Sequence, residues 1–76
     1  MQLQELETGT EARIETVEAS GALKERLLAF GVRPGESVKV TEHSLLKGTL
    51  TVRVGQSRIA LRENEAACIT VVKETR

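Results

Sequence analysis

A short helix that stops abruptly at a tight turn constrains this chain most. The helix and the turn together lie in the stretch from Ala22 to Gly35, with the sequence ALKERLLAFGVRPG. Leu23, Leu27 and Phe30 recur at the spacing of one helical face, with Leu28 beside them, and predict the buried side of the helix. Because a helix of about nine residues is marginal alone in water, the rest of the chain must supply the surface on which this face packs.

Gly31 and Pro34 predict where this helix ends. Glycine takes the left-handed closing conformation without a Cβ penalty, and proline three positions later cannot easily continue a helix. The helix is therefore expected at about residues 21–30. Pro34-Gly35 is typical of a type II turn, because proline presets φ and glycine tolerates a positive φ.

Alternating apolar and polar residues predict five short strands around the helix. They are Glu11–Glu18, Glu36–Glu42, Thr49–Val54, Arg58–Arg62 and Ile69–Lys73. Val17 breaks the period of two in the first strand, which indicates a bulge or a bend. The third and fourth strands are separated by a short glycine-containing break and are expected to form a hairpin.

Three stretches between these elements carry weaker patterns. Leu3 and Leu6 fit either one helical turn or an extended anchor. The stretch from Glu42 to Lys47 is predicted as a connection, and the stretch from Glu63 to Ala66 as a turn or one turn of 3₁₀ helix.

Five strands and one helix, each apolar on one face, have one compact arrangement. It is a small curled sheet or barrel with the helix covering an open end. The predicted core is Leu6, Ile14, Val17, Leu23, Leu27, Phe30, Val32, Val38, Val40, Leu50, Val52, Val54, Ile59, Leu61, Ile69 and Val71. Residues 1–76 are expected to form a single domain, and a domain of this size buries only about 60% of its unfolded surface.

The composition argues against nucleic-acid and membrane partners. Lys+Arg 11 balances Asp+Glu 11, so no long-range positive field collects nucleic acid or anionic lipid. Phe30 is the only aromatic residue, which leaves no platform for stacking bases. No apolar stretch approaches the roughly 18 residues needed to span a bilayer, and no signal-peptide pattern begins the chain. We expect a soluble protein with no nucleic-acid partner and no membrane insertion.

His43 and Cys68 are the only imidazole and the only thiol. A single cysteine forms no internal disulfide, which favours the cytoplasm. Neither residue has a second His or Cys at ligand spacing, so Glu42 and His43 are only weak candidate metal ligands, shared across a dimer. A lone histidine in a loop is more often solvent-facing.

Catalytic chemistry finds no support in the residue pattern. A nucleophile needs a neighbouring base and an oriented acceptor, and one His with one Cys does not supply them. No stretch matches a glycine-rich phosphate loop. We therefore predict no catalytic residues, no enzymatic activity and no required cofactor.

Two motifs of this chain resemble the FeoA family. RLxxxGxxPG spans Arg26 to Gly35, IALRxxEAxxIxV spans Ile59 to Val71, and the wider pattern covers nearly the whole chain. The resemblance implies a small cytoplasmic SH3-like protein encoded with the GTP-dependent ferrous iron permease FeoB. The expected fold is then mainly β, an SH3-like five-stranded barrel with one short α-helix covering one end.

The same resemblance implies a partner-binding surface. It comprises the exposed side of the Lys24 to Arg33 segment, including Arg26, and the pair Leu45-Leu46, where the chain departs from the family pattern. Each part also has a simpler interpretation: Arg26 pairs with Glu65, and the two leucines fold onto the core as a strand end.

A basic cluster is predicted on the outer faces of the strands. It contains Lys39, Arg53, Arg58 and Arg62. The cluster is either a solvated face or a surface that meets an acidic partner, where complementary charge speeds and orients docking.

The function implied by the resemblance is that of a noncatalytic adaptor of ferrous iron uptake. Its partner is the cytoplasmic domain of an FeoB-like membrane permease. One alternative is a regulatory domain related to iron-dependent repressors, which the zero net charge and the lack of a preceding helix-turn-helix disfavour. The other is a transition-metal carrier or sensor, and a homo-oligomer also stays open.

Overall fold

Five antiparallel strands form one sheet in the computed structural model, which describes residues 1–44 and 46–74. The elements are a 3₁₀ turn (Leu3–Glu5), β1 (Glu11–Val17), α1 (Gly21–Ala29), β2 (Ser37–Ser44), β3 (Thr49–Val54), β4 (Ser57–Arg62), α2 (Glu63–Ala66) and β5 (Ile69–Lys73). The strand order is β4-β3-β2-β1-β5. The mainly β fold predicted from the sequence is confirmed. No helix in the described ranges is long and apolar enough to cross a membrane.

Two irregularities bend the sheet. The pairing register shifts between Ile14 and Thr16 in β1, and between Val40 and Glu42 in β2. An extra residue in one strand increases its local twist and bends it, so these short strands curl around the core. The first shift confirms the irregularity predicted for the strand that contains Val17.

β2 is longer than the sequence predicted. The expected connection begins only after Ser44, and His43 lies within the strand, opposite Leu50 of β3. The apolar alternation stops at Val40 because the bulge that follows inserts an extra residue. The second half of β2 is therefore invisible to a pattern of period two.

The predicted end of α1 is confirmed to within one residue. The Val32 N–H donates to the Leu27 carbonyl (2.9 Å), and the Gly31 N–H donates to the Leu28 carbonyl (3.0 Å). With Gly31 at φ 84°, these are the two hydrogen bonds of a Schellman motif. Leu27 and Val32 are both buried, so the motif also anchors the helix to the core.

Both turns predicted from glycine positions are present. Gly35 has φ 94°, and the Glu36 N–H donates to the Arg33 carbonyl (3.2 Å), as a type II turn requires. Gly55-Gln56 connects β3 to β4, with Val54 paired to Ser57. The predicted hairpin is confirmed.

The core contains only aliphatic side chains, and no polar side chain among residues 1–44 and 46–74 is buried. Its members are Leu3, Leu6, Ala12, Ile14, Leu27, Val32, Val38, Val40, Leu50, Val52, Val54, Ile59, Leu61, Ala66, Ile69 and Val71. The chain opening forms a 3₁₀ turn that buries both leucines. Met1 borders β5, because the Val71 N–H donates to the Met1 carbonyl (2.7 Å).

Phe30 is the clear error in the predicted core. It is 38% exposed and caps α1 with φ −93° and ψ 4°, so it lies outside the helical repeat and the i+7 spacing no longer sets its direction. Val17 and Leu23 are half-buried. The stretch Glu63–Ala66 is one turn of α-helix rather than a 3₁₀ turn.

Candidate partner-binding surface

The outward side of α1 carries exposed apolar and basic side chains. Lys24 and Leu28 are four residues apart and share one helical face. Both are exposed, Leu28 to 46%. The buried side of α1 is made by Leu27, with Leu23 packed against the same core. Leu28 therefore places an apolar side chain on the water-facing side of α1.

Arg33 continues this surface beyond the helix. Its Nε lies 3.9 Å from the Glu36 carboxylate, and both side chains are mostly exposed. An exposed ion pair at this distance contributes little to stability, so the Arg33 guanidinium stays accessible to another molecule.

Leu46 is fully exposed in the turn between β2 and β3. The favoured expectation, that the leucine pair folds onto the core, is therefore wrong for Leu46. Leu45 lies outside the described residues. A leucine with no contact to the core gains nothing for folding from its apolar surface, and the role of Leu46 in partner contact stays a prediction.

Arg26 reaches from α1 to α2. Its Nη2 donates to Glu65 Oε1 at 3.0 Å, and the Arg62 backbone N–H donates to the same oxygen at 3.0 Å. The Arg26 side chain is 45% exposed, whereas the Glu65 side chain is 20% exposed. Of the two interpretations of Arg26, the ion pair with Glu65 is present, and its role in partner binding stays a prediction.

Glu65 is the charged group most influenced by this arrangement. The hydrogen bond from the Arg62 backbone N–H lowers the pKa of Glu65, and the Arg26 guanidinium lowers it further, while partial burial opposes both. The ionised carboxylate therefore joins α1, β4 and α2 at one point.

The sequence predicted a solvent-facing His43 in a loop, but this residue is half-buried and lies on β2. Its Nε2 lies 2.8 Å from the Leu6 carbonyl oxygen. A carbonyl oxygen only accepts hydrogen bonds, so Nε2 carries the proton and only Nδ1 keeps a lone pair for a metal. Glu42, its neighbour, is exposed, and adjacent strand residues point to opposite faces.

A metal centre needs more ligands than this pair supplies. Within the part of the chain that the structure describes, no three His, Cys, Asp or Glu side chains are grouped to hold a metal ion. Glu42 and His43 stay weak candidates.

Three predicted outer-face cations stand in one row across the sheet. Lys39 of β2 is directly opposite Arg53 of β3, and Arg53 is directly opposite Arg58 of β4. Glu11 of β1 pairs with Lys39 and extends the row by one negative charge. Sequence reasoning placed these cations on outer faces, but only the register shows that they adjoin. Beside the row lies a shallow depression of about 370 Å³, lined in part by Glu11, Lys39 and Arg53.

The family model described as the FeoA domain matches residues 1–73 of this chain. A Campylobacter jejuni protein named Fe(2+) transport protein A is 38% identical over 71 residues, which cover 93% of this chain and 96% of that protein. A Porphyromonas gingivalis protein named as a fusion of Fe(2+) transport protein A and the Fe(2+) transporter FeoB is 34% identical over 71 residues, covering 93% of this chain and 8% of the fusion.

Solved structures of proteins with related names superpose closely on this chain. Stenotrophomonas maltophilia FeoA, solved with zinc and described as an SH3 domain protein, superposes with a TM-score of 0.81 at 37% identity, covering 95% of this chain and 89% of that one. Iron(II) transport protein A from Clostridium thermocellum superposes with a TM-score of 0.88 at 36% identity. The match covers 96% of this chain, which spans 45% of that one.

A manganese-dependent transcriptional repressor also contains the same fold. Its TM-score is 0.88 at 17% identity, over 97% of this chain and 41% of the repressor. At that identity the likeness concerns the fold alone. The predicted SH3-like architecture is confirmed, and the chain belongs to the FeoA family.

Proposed function

We propose that this protein is a noncatalytic accessory component of ferrous iron uptake that acts in the cytoplasm by docking on an FeoB-type permease. The family membership supports the role in iron transport. The relatives' names place them in ferrous iron transport, and the proposal carries this role over to a chain that resembles them along nearly its whole length.

The observation that carries the docking step is the fusion protein of Porphyromonas gingivalis. There, a segment similar to this chain is joined covalently to the transporter FeoB. Covalent linkage raises the effective concentration of two modules that bind each other. A family member that is not joined to FeoB would reach the same proximity through a noncovalent interface.

The proposed interface is the outward side of α1 together with the turn that follows β2. Leu28, Phe30 and Leu46 place apolar surface in water. Lys24 and Arg33 add exposed positive charge on α1 and just beyond its end. Apolar residues at the centre and charged residues at the rim are the usual composition of a protein–protein interface. The proposal includes Leu45 as the neighbour of Leu46 in the sequence.

Arg26 contributes to this interface indirectly. Its half-exposed guanidinium holds α1 against Glu65, so it positions the helix that presents Leu28. Replacing Arg26 by Glu would put two carboxylates in contact and would disturb the fold as well as the surface. Arg26 is therefore a poorer test residue than the exposed leucines.

The test is a binding titration with the purified cytoplasmic domain of FeoB from the same organism. The variants Leu28→Glu and Leu46→Glu each bury a charge in the proposed interface, and we expect each to weaken binding about tenfold or more. The matched control is Val72→Glu, which places the same charge at an apolar site on β5 that is 50% exposed and lies outside the proposed interface.

The outcomes separate the two parts of the proposal. If the wild-type chain fails to bind the cytoplasmic domain, docking itself is wrong. If it binds and both leucine variants bind as well as Val72→Glu does, the assigned surface is wrong.

On this proposal, iron is the cargo of the permease, and the adaptor requires no resident metal. The His43 Nε2 is occupied by its hydrogen bond to Leu6, which leaves the ring one nitrogen for a ligand. Titration with Fe²⁺ or Zn²⁺ should reveal no stoichiometric site. Stoichiometric binding that His43→Ala or Glu42→Gln abolishes would instead favour a metal carrier or sensor.

A further inference from the structure

The two ends of the sheet differ in how their edges are covered. At the β5 end, Gln2 forms a bridge to Thr70, and Met1 exchanges hydrogen bonds with Val71. At the β4 end, no strand in residues 1–44 or 46–74 pairs with the outer side. β4 therefore presents an edge without a neighbouring strand within these residues, and its outward-facing Arg58, Ala60 and Arg62 are exposed.

The register shows which backbone groups this edge presents. Because the turn after Val54 has only two residues, Val54 and Ser57 form a hydrogen-bonded pair. Antiparallel ladders alternate, so the N–H and C=O groups of Arg58, Ala60 and Arg62 point away from β3. The Arg62 N–H donates to Glu65. Arg58 and Ala60 keep an outward donor and acceptor each, and both residues are exposed.

Positive charge outnumbers negative charge in the row that crosses the sheet and ends at this edge, because its single carboxylate is Glu11, opposite Lys39 at the far end. Lys39, Arg53 and Arg58 occupy directly opposed positions across three strands. Like charges directly opposite each other destabilise a sheet. No ion pair relieves any of the three within the described part of the chain. A carboxylate on a strand added next to Arg58 would lie beside these cations and would balance part of their charge.

We propose that the outer edge of β4 binds an extended acidic segment of a partner protein by strand addition. Arg58 and Ala60 supply the backbone hydrogen bonds. The added segment carries one acidic residue opposite Arg58 and a second, four positions away, opposite Arg62. These two carboxylates balance the positive charge on the outer face of β4. The small Ala60 side chain between Arg58 and Arg62 leaves room for the side chains of the added segment. Arg62 and Arg26 of α1 donate to the same Glu65 carboxylate oxygen, but the proposal does not depend on docking to the permease.

The chemistry of the edge favours protein over other anionic partners. Membrane-binding patches gather about four to eight cations, and the cluster of Lys39, Arg53, Arg58 and Arg62 lies at the lower end of that range. A strand edge offers alternating donors and acceptors to another backbone. Charged residues on an edge strand also have a protective role against self-association, and that role would show no preference for acidic peptides.

The probe is the peptide Thr-Glu-Val-Thr-Val-Glu-Thr, blocked at both ends, titrated into the full chain labelled with ¹⁵N. Binding should shift the amide signals of Arg58 and Ala60 and slow their hydrogen exchange. The same peptide with Gln in place of both Glu should bind several-fold more weakly, and added salt should reduce the difference.

Variants separate the backbone contribution from the charge. Ala60→Pro removes the outward N–H without touching the β3 ladder and should abolish binding, while Ala60→Ser retains the N–H and should bind as wild type. Arg58→Glu with Arg62→Glu should weaken binding about tenfold, and Arg33→Glu, at another exposed arginine, is the charge control. Far-UV circular dichroism checks that each variant folds. Undetectable binding of the acidic peptide, equal affinity for the Gln peptide, or unchanged binding by a folded Ala60→Pro variant would each overturn the proposal.

Discussion

At the scale of single residues, His43 is a structural side chain. Its Nε2–H donates to the partly buried Leu6 carbonyl at 2.8 Å, which ties β2 to the chain opening. His43→Ala leaves that acceptor without its partner and should lower the free energy of unfolding by about 1 kcal/mol. Urea denaturation measures the change. His43→Gln, whose amide can donate, should lose less, and equal stability of wild type and His43→Ala would contradict this assignment.

Glu65 should make stability depend on pH. Since the folded state lowers the pKa of Glu65, its carboxylate stabilises the fold above the pKa of the unfolded chain, and that contribution is lost as pH falls through the folded-state value. Glu65→Gln should therefore cost about 1 kcal/mol at pH 7 and much less at pH 3.

Urea denaturation at both pH values tests the Glu65 prediction. Glu63→Gln is the matched control, because Glu63 lies in the same helical turn and is exposed. A loss at neutral pH no larger than that of Glu63→Gln would show that the contact with Arg26 and Arg62 contributes nothing.

Some side-chain contacts could be predicted from the sequence and others could not, because only some of them leave a local pattern. The pairing of Arg26 with Glu65 was foreseen because a helix residue and a residue in the next motif were candidates for one ion pair. The contact of His43 with Leu6 depends on a bulge and on the path of the first residues, and neither leaves a local pattern.

At the scale of elements, the end of α1 depends on one backbone conformation. Gly31 has φ 84°, and no atom lies within 4 Å of the position a Cβ would take. Gly31→Ala should therefore cost roughly 1 to 2 kcal/mol through backbone strain alone, without a steric clash. Gly31→Asn should cost less, because asparagine tolerates the left-handed conformation. Thermal unfolding measures both, and equal stability of wild type and Gly31→Ala would exclude the strain.

The elements were predictable where local patterns carry the information. The hairpin of β3 and β4 follows from alternation and a glycine turn, and the structure contains it with Val54 paired to Ser57. The second half of β2 was missed because its bulge interrupts the alternation after Val40. Phe30 was misplaced because helical spacing was extended past the residue where the helix ends. The exposed side of the Lys24 to Arg33 segment was predicted as a contact surface, but the apolar contribution of Leu28 and Phe30 to it is known only from their exposure in the structure.

At the scale of the whole molecule, the opening residues complete the core. Leu3 and Leu6 are each 1% exposed, and Met1 is hydrogen-bonded to β5. Truncating a buried leucine costs about 2 to 5 kcal/mol, and a small domain has only about 5 to 15 kcal/mol in total. Deleting residues 1–6 should therefore abolish cooperative unfolding, and Leu6→Ala alone should lower the midpoint strongly.

Circular dichroism during urea titration measures this effect. The exposed Leu46→Ala is the control, since removing a side chain without core contacts should leave the midpoint unchanged. A truncated chain that unfolds with the wild-type midpoint would show that the opening is dispensable.

A core made only of aliphatic side chains has a consequence for how such a domain diverges. Interchanges among valine, leucine and isoleucine of similar total volume cost little, and within residues 1–44 and 46–74 no buried polar residue has hydrogen bonds to rebuild when they occur. The shape can therefore persist while most positions drift through mutation. Selection for a particular interaction then acts on outward-facing positions, which change without disturbing the interior.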